Sequence, residues 1–250
     1  MELKNTESIA RGIASKIDGW LTGREGELLF NLAKNCTGKG VIVEIGSWKG
    51  KSTIYLGLGS KAGKQVVLYA IDPHSGSSEH KEMFGIVWTF QEFQDNIKNA
   101  GLNDIVNPII KTSEKAATAF NEPVELIFID GAHEYDLVKL DYQLWFPKVI
   151  EGGIIAFHDS VGWPGPKKVI EEFILKSGHF KNISRIDSIT FAQKVETNFL
   201  LHLIQNRCDF IYTSFLEHIA VLIIKLKLPS VIRVLLKSIY DTLKRLTYSK

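Results

Sequence analysis

Val41-Ile42-Val43-Glu44-Ile45-Gly46-Ser47-Trp48-Lys49-Gly50-Lys51-Ser52-Thr53 joins a short apolar run to a glycine-bearing turn and then to a helical pattern over residues 51–60. Five mostly apolar residues ended by glycine read as a buried strand, not as one stripe of an amphipathic helix. The same unit recurs downstream. Val66 to Ile71 is closed by Asp72-Pro73, Ile105 to Ile110 by Lys111-Thr112-Ser113, Val124 to Ile129 by Asp130-Gly131, and Gly153 to Phe157 by His158-Asp159. Helical patterns over 88–100, 112–120, 134–146 and 166–176 separate them. Lys181 to Ile186 and Ser188 to Lys194 read as a closing strand pair.

Short apolar strands alternating with helices predict an α/β fold. The expectation is a Rossmann-like, doubly wound, mostly parallel seven-stranded sheet with helices on both faces, plus a helical C-terminal appendage. Residues 1–38 are expected to form an N-terminal helical cover, 39–195 the ligand-binding domain, and 196–250 a basic amphipathic helical tail. In open sheets of this kind ligands bind outside the carboxyl ends of the strands. The polar groups Glu44, Asp72, Ser113, Asp130, His133, His158 and Asp159 all fall at such ends, which predicts one shared site.

Length and composition bound the answer. The 250 residues are 45% hydrophobic and 23% charged, the make-up of a globular chain and not of a disordered or collagen-like one. Cys36 and Cys208 supply neither a disulfide framework nor a zinc cluster, which fits a reducing compartment and a cytoplasmic location. The formal net charge of +2 is too small to argue for nucleic acid. Met1 to Lys16 lacks the apolar core of a signal peptide, and no uncharged apolar run is long enough to span a membrane. The charge is uneven: residues 195–250 carry eight Lys/Arg against four Asp/Glu, +4 in all, and the residues before them carry −2. From Leu228 onward Ile232, Leu235, Leu236, Ile239, Leu243 and Leu246 share one helical stripe, with Arg233, Lys237, Lys244 and Arg245 opposite. This tail is expected to pack on its own domain or form a homodimer, with peripheral contact to an anionic membrane close behind.

Two ligands compete for the glycine turn. Gly46 to Ser52 reads G-x3-G-K-S, one residue shorter than a phosphate loop, and Glu44 would set a carboxylate near a polyanion. That repulsion is about 4 kcal/mol at about 4 Å and intermediate dielectric. A cationic ligand that carries a ribose suits the residues better. Glu44 attracts its charge, and Asp72 can bind ribose hydroxyls. S-adenosylmethionine has both features. A nicotinamide dinucleotide would want a further glycine where Trp48 stands.

Val43 to Thr53, Ile71-Asp72-Pro73, Phe128-Ile129-Asp130-Gly131-Ala132-His133 and Gly152 to Asp159 together resemble class I S-adenosylmethionine-dependent methyltransferases, most closely the branch of small-molecule and sugar O-methyltransferases that includes the macrolide-sugar enzymes. The resemblance runs over about residues 20–194 and departs at Trp48, where many members carry glycine. It implies that Glu44, Gly46, Ser47 and Gly50 line the methionine end of the cofactor, that Asp72 binds the ribose, that Ser113 sits near the adenine, and that Asp130 lies beside the methyl donor. It also implies a general base at His133, in a D-x-x-H arrangement that an imidazole with a pKa near 6.5 can serve. The same residue read alone could be a surface helix-start histidine.

Asp130 and Asp159, with His158 as a further donor, are candidate ligands for Mg2+ or Mn2+; a locally hydrogen-bonded Asp159 is the plain alternative. The polar stretch from His74 to Gly85 reads as a lid, and His80, Trp88 and Trp163 as candidate sugar contacts. The expected acceptor is a small molecule, such as a sugar or lipid-linked glycan, and nucleic acid is not expected. Two other classes stay open at this point: a phosphate-loop nucleotide enzyme, and a membrane-attached binding module of the same fold without turnover.

Overall fold

The computed structural model describes residues 2–77, 82 and 85–197, with scattered positions between 200 and 236. Apart from Leu236, the amphipathic stripe expected from Leu228 onward lies outside the described residues, as do the candidate contact His80 and most of the second half of the expected lid.

The chain runs α1 (Glu2–Ala14), α2 (Gly23–Lys34), β1 (Val41–Ile45), α3 (Lys51–Ala62), β2 (Leu68–Ile71), α4 (Phe90–Asn99), β3 (Val106–Ile109), α5 (Ser113–Ala119), β4 (Val124–Ile129), α6 (Tyr135–Trp145), β5 (Val149–Phe157), α7 (Pro164–Val169), β6 (Phe180–Ile186) and β7 (Ile189–Lys194). One seven-stranded sheet has the order β3-β2-β1-β4-β5-β7-β6. β1 to β5 are parallel, and β7 joins β5 and β6 antiparallel. The expected seven-stranded, mostly parallel sheet is present, with each strand overlapping the stretch read as one.

Strand alternation sorts the core into two layers. Ile42, Leu126, Phe128, Leu68 and Ala156 face α1–α4, where Phe30, Ile54, Leu56 and Phe93 pack. Val43, Ile45, Ile127, Ile129 and Phe157 face the other side, against Val138, Tyr142, Trp145, Val169 and Ile174. β1 and β4 are buried along their whole length, because helices cover both of their faces.

Two elements depart locally from the expected pattern. β5 begins at Val149 rather than Gly153, and Gly152 at φ 80° accompanies a shift in its register with β4. α7 continues as a π-helical turn over Ile170–Leu175, where an α-helix over the whole stretch was expected. The helices expected in the N-terminal region are α1 and α2, separated by residues 15–22, where Gly19 has φ 152°. α2 then starts on a capping box. Thr22 Oγ1 accepts from the Glu25 amide, and the Glu25 carboxylate accepts from the Thr22 amide.

Candidate active site

The carboxyl ends of the parallel strands open into one cavity of about 740 Å³. Gly46, Ser47 and Trp48 arrive from β1, Asp72 from β2, Ser113 from the start of α5, Asp130 and His133 from β4, and His158 and Asp159 from β5. The segment between α1 and α2 closes one wall with Asp18, Gly19, Trp20 and Leu21, and Trp163 stands on another.

Two of the expected cofactor residues are not on that wall. Glu44 is completely buried. As the alternate neighbour of Ile42 it points under α3, where Thr53 Oγ1 donates to its Oε2 at 2.5 Å. Burial raises its pKa to about 8, with Ser52 and Thr53 pulling the other way and Asp130 and Asp72 adding to the rise. The expected acidic rim is therefore built by Asp72 and Asp130, and Glu44 sits beneath it. Gly50 is the N-cap of α3 in the left-handed region, φ 90°, and packs toward Phe93 and Ile97. Its work is to turn the chain into α3.

The residues that do face the cavity are tied to the backbone around them. Asp72 accepts from the Trp48 amide at 2.7 Å and from the His74 amide at 2.6 Å. One carboxylate thus pins the glycine turn and the loop after β2, and its remaining lone pairs stay available for hydroxyl donors. Trp48, at φ 48°, occupies the left-handed conformation that glycine favours. Its ring lies 6.0 Å from that of Trp20, centroid to centroid. Gly46, at φ 85°, passes so close to the end of β4 that an added Cβ would lie 2.1 Å from the Asp130 carbonyl oxygen. The turns after β1 and β4 can meet only with glycine there. Ser47 Oγ is buried in the cavity wall with no hydrogen-bond partner among the described residues, a polar group that a bound ligand can satisfy. Ser113 accepts from Trp145 Nε1 at 2.8 Å.

One end of the cavity gathers around two histidines. His133 Nε2 lies 2.9 Å from Asp159 Oδ2, and its ring stacks on Trp163 with centroids 4.1 Å apart. Gly165 holds this loop from behind, since a Cβ there would lie 2.0 Å from the His133 carbonyl oxygen. His158 is buried. Its Nδ1 lies 3.1 Å from Asp130 Oδ1 and 3.0 Å from Asp159 Oδ2, and its Nε2 lies 3.6 Å from Glu25 Oε2. Burial alone would lower its pKa, but Asp130, Asp159 and Glu25 raise it to about 12. Burial also raises Asp130. Asp159 falls below its ordinary range: burial works against this, and His133 and His158 outweigh it. Asp159 has φ 53°, a second non-glycine residue in the left-handed region at the site.

Ligand atoms of Asp130, His158 and Asp159 all lie within 4.8 Å of one another. Two carboxylates and an imidazole are a chemically suitable set for a divalent cation. Lys51, the residue a phosphate loop would direct at its ligand, instead donates to the Gly19 carbonyl at 3.0 Å. Of the expected sugar contacts, Trp163 lines the cavity, and Trp88 packs against Phe90, centroids 6.2 Å apart.

Two residues at or beside the cavity escaped the sequence reading. Asp141, at the cavity wall, shares a helical face with the buried Val138, Tyr142 and Trp145, and burial raises its pKa to about 6 against a hydrogen bond from Ser113. A carboxylate on the apolar stripe of α6 was the available signal. Glu25 had none, because nothing local links it to His158.

Residues 43–160 match the family model described as a methyltransferase domain. An uncharacterised protein of Acanthamoeba polyphaga mimivirus is 29% identical over 120 residues, 47% of this chain and 50% of that one, so the match spans about half the length of that relative. Among solved structures, the O-methyltransferase NovP superposes with a TM-score of 0.57 at 20% identity, covering 69% of this chain and 80% of its own. The O-methyltransferase TomG from Streptomyces achromogenes, solved in complex with SAM, gives 0.54 at 16% identity, covering 76% and 89%. These likenesses show the shared fold. The Rossmann-like sheet expected from the sequence is present, and the methyltransferase-domain match over residues 43–160 agrees with the methyltransferase reading.

Proposed function

We propose that this methyltransferase domain moves the methyl group of S-adenosylmethionine to a hydroxyl of a small molecule, a sugar hydroxyl being the favoured acceptor. The observation that carries the reading is the position of His133: an imidazole on the cavity wall, oriented by Asp159 and Trp163, two strand ends away from Asp72. Asp72 binds the ribose, Gly46 and Ser47 border the methionine end, Ser113 lies toward the adenine, and Asp130 flanks the methyl donor.

The acceptor hydroxyl gives its proton to His133. Its oxygen then attacks the methyl carbon in line, the carbon–sulfur bond breaks, and the electron pair returns to sulfur, leaving S-adenosylhomocysteine. The donor is already activated, so alignment supplies most of the acceleration, up to about 7–11 kcal/mol. Asp130, Asp159 and His158 would hold a divalent ion, which when bound supplies Lewis acidity at the acceptor oxygen.

The test is methyl transfer to a panel of sugar and phenolic acceptors by wild type, His133→Ala and His133→Gln. The expected loss is about 10²–10⁴-fold in kcat, with S-adenosylhomocysteine affinity unchanged by calorimetry. An unchanged rate refutes the base. Absence of binding by the wild type refutes the cofactor. Turnover by the wild type also removes the non-catalytic alternative.

For residues 196–250 we propose packing on the domain or homodimerisation ahead of peripheral contact with an anionic membrane, where lipid-linked glycans would be the acceptors. Vesicle sedimentation of the full chain carrying Lys237→Glu and Lys244→Glu separates these readings: only membrane contact is weakened by the reversals.

A further inference from the structure

His158 is buried, yet neither of its ring nitrogens makes a well-directed hydrogen bond. Nε2 faces the carboxylate of Glu25, and Nδ1 faces two carboxylate oxygens at once. With a ring proton turned toward Glu25, Nδ1 faces the oxygens of Asp130 and Asp159 at 3.1 and 3.0 Å, and a bound dication takes the place of the proton that otherwise lies between Nδ1 and those carboxylates. The two measured separations, 3.1 and 3.0 Å, match the edge of a coordination octahedron. Adjacent ligands about 2.1 Å from an ion lie about 3.0 Å apart.

Glu25 is a built element of this arrangement. It is 1% exposed and lies on α2, outside the matched methyltransferase segment. Its Oε1 accepts from the amide and hydroxyl of Ser188 at 2.8 and 2.7 Å, and its Oε2 accepts from the Thr22 amide at 2.8 Å. Those donors fix the carboxylate so that Oε2 is aimed at His158. Histidines that bind metals commonly give their second nitrogen to such an outer carboxylate, which sets the tautomer and makes the ligating nitrogen more basic.

We propose that Glu25 is the outer carboxylate of a Glu25–His158–metal relay, and that the resulting nitrogen-plus-two-carboxylate set prefers a first-row transition dication such as Mn2+ to Mg2+. An imidazole donor favours transition metals, whereas Mg2+ favours oxygen ligands alone. Asp130, His158 and Asp159 all line the cavity, so the open coordination positions face the space proposed for the acceptor. The inference rests on the divalent-ion part of the proposed function, and Glu25 is a positioning residue within it.

Binding of Mn2+ to the full chain saturated with S-adenosylhomocysteine tests it, read by electron paramagnetic resonance and by competition with Mg2+. Wild type is expected to bind Mn2+ at least tenfold more tightly than Mg2+. Glu25→Gln is expected to lose about 10–100-fold in Mn2+ affinity and to narrow the preference over Mg2+. Glu25→Asp, which keeps the charge, is expected to recover part of the loss. Arg24→Ala removes the ion pair to Asp187 without touching Glu25 or His158. It is expected to lower Tm while leaving Mn2+ affinity within twofold, which separates the relay from a general loosening of α2. Equal Mn2+ affinity in wild type and Glu25→Gln overturns the relay and leaves the ion reading standing. No Mn2+ bound by the wild type overturns both, and leaves methyl transfer through His133 to be judged by its own assay.

Discussion

Trp163 lies flat against the imidazole of His133, the two planes 17° from parallel and the centroids 4.1 Å apart. Asp159 holds the same ring at its edge. Face and edge contacts together fix the direction in which the imidazole presents a nitrogen, which a base needs more than it needs a shifted pKa. Stacking of this kind is worth about 0.5–1.5 kcal/mol. Trp163→Ala is therefore expected to lower kcat by about tenfold with cofactor affinity unchanged, and Trp163→Phe to retain most of the rate. Steady-state kinetics beside calorimetry decide it; equal losses in Phe and Ala variants would mean the indole serves the acceptor instead.

Asp72 joins the loops after β1 and β2 through two backbone amides. In Asp72→Asn one of those amides must face an NH2 group. Hydrogen bonds to charged groups contribute about 1.5–3 kcal/mol, so S-adenosylhomocysteine affinity is expected to fall at least tenfold and Tm to drop with it. Calorimetry and thermal melts check both. A variant that melts normally and binds normally would remove Asp72 from the ribose site.

Glu44 makes stability depend on pH in a definite direction. Its pKa rises from 4.5 to about 8 on folding, so between those values the native state holds more protons than the unfolded chain. Stability from this group is highest near and below pH 4.5 and declines as pH rises toward 8. Glu44→Gln keeps the shape without the titration. It is expected to melt above wild type at pH 9 by at least about 2 °C, the shift that about 1 kcal/mol produces in a chain of this size, with the gap narrowing at pH 5. Parallel melting curves at both pH values would show that Glu44 does not titrate differently on folding.

The sheet was legible because its central strands β1 and β4 are short apolar runs closed by a polar signature, and helices cover both of their faces. The meeting of Asp72, Asp130, His133 and Asp159 followed from parallel strands sharing one edge. Glu44 was misplaced because its position next to Gly46 suggested the rim, although it has the same strand parity as Ile42, which faces the helices. Gly50 looked like a ligand-approach glycine and is a helix cap. Nothing in the sequence singled out Glu25. Its approach to His158 depends on how α2 docks against β5 and the β6–β7 turn, a relationship between distant segments that no local pattern encodes.

That docking sets a limit on dissection. Thr22 and Arg24 grip Asp187, and Glu25 grips Ser188, so the helix ahead of the matched segment and the hairpin behind it are laced together across the catalytic edge. A fragment trimmed to residues 43–160 would keep both aspartates and both histidines yet shed the lacing on each side, and a library built on that fragment would sample a loosened pocket.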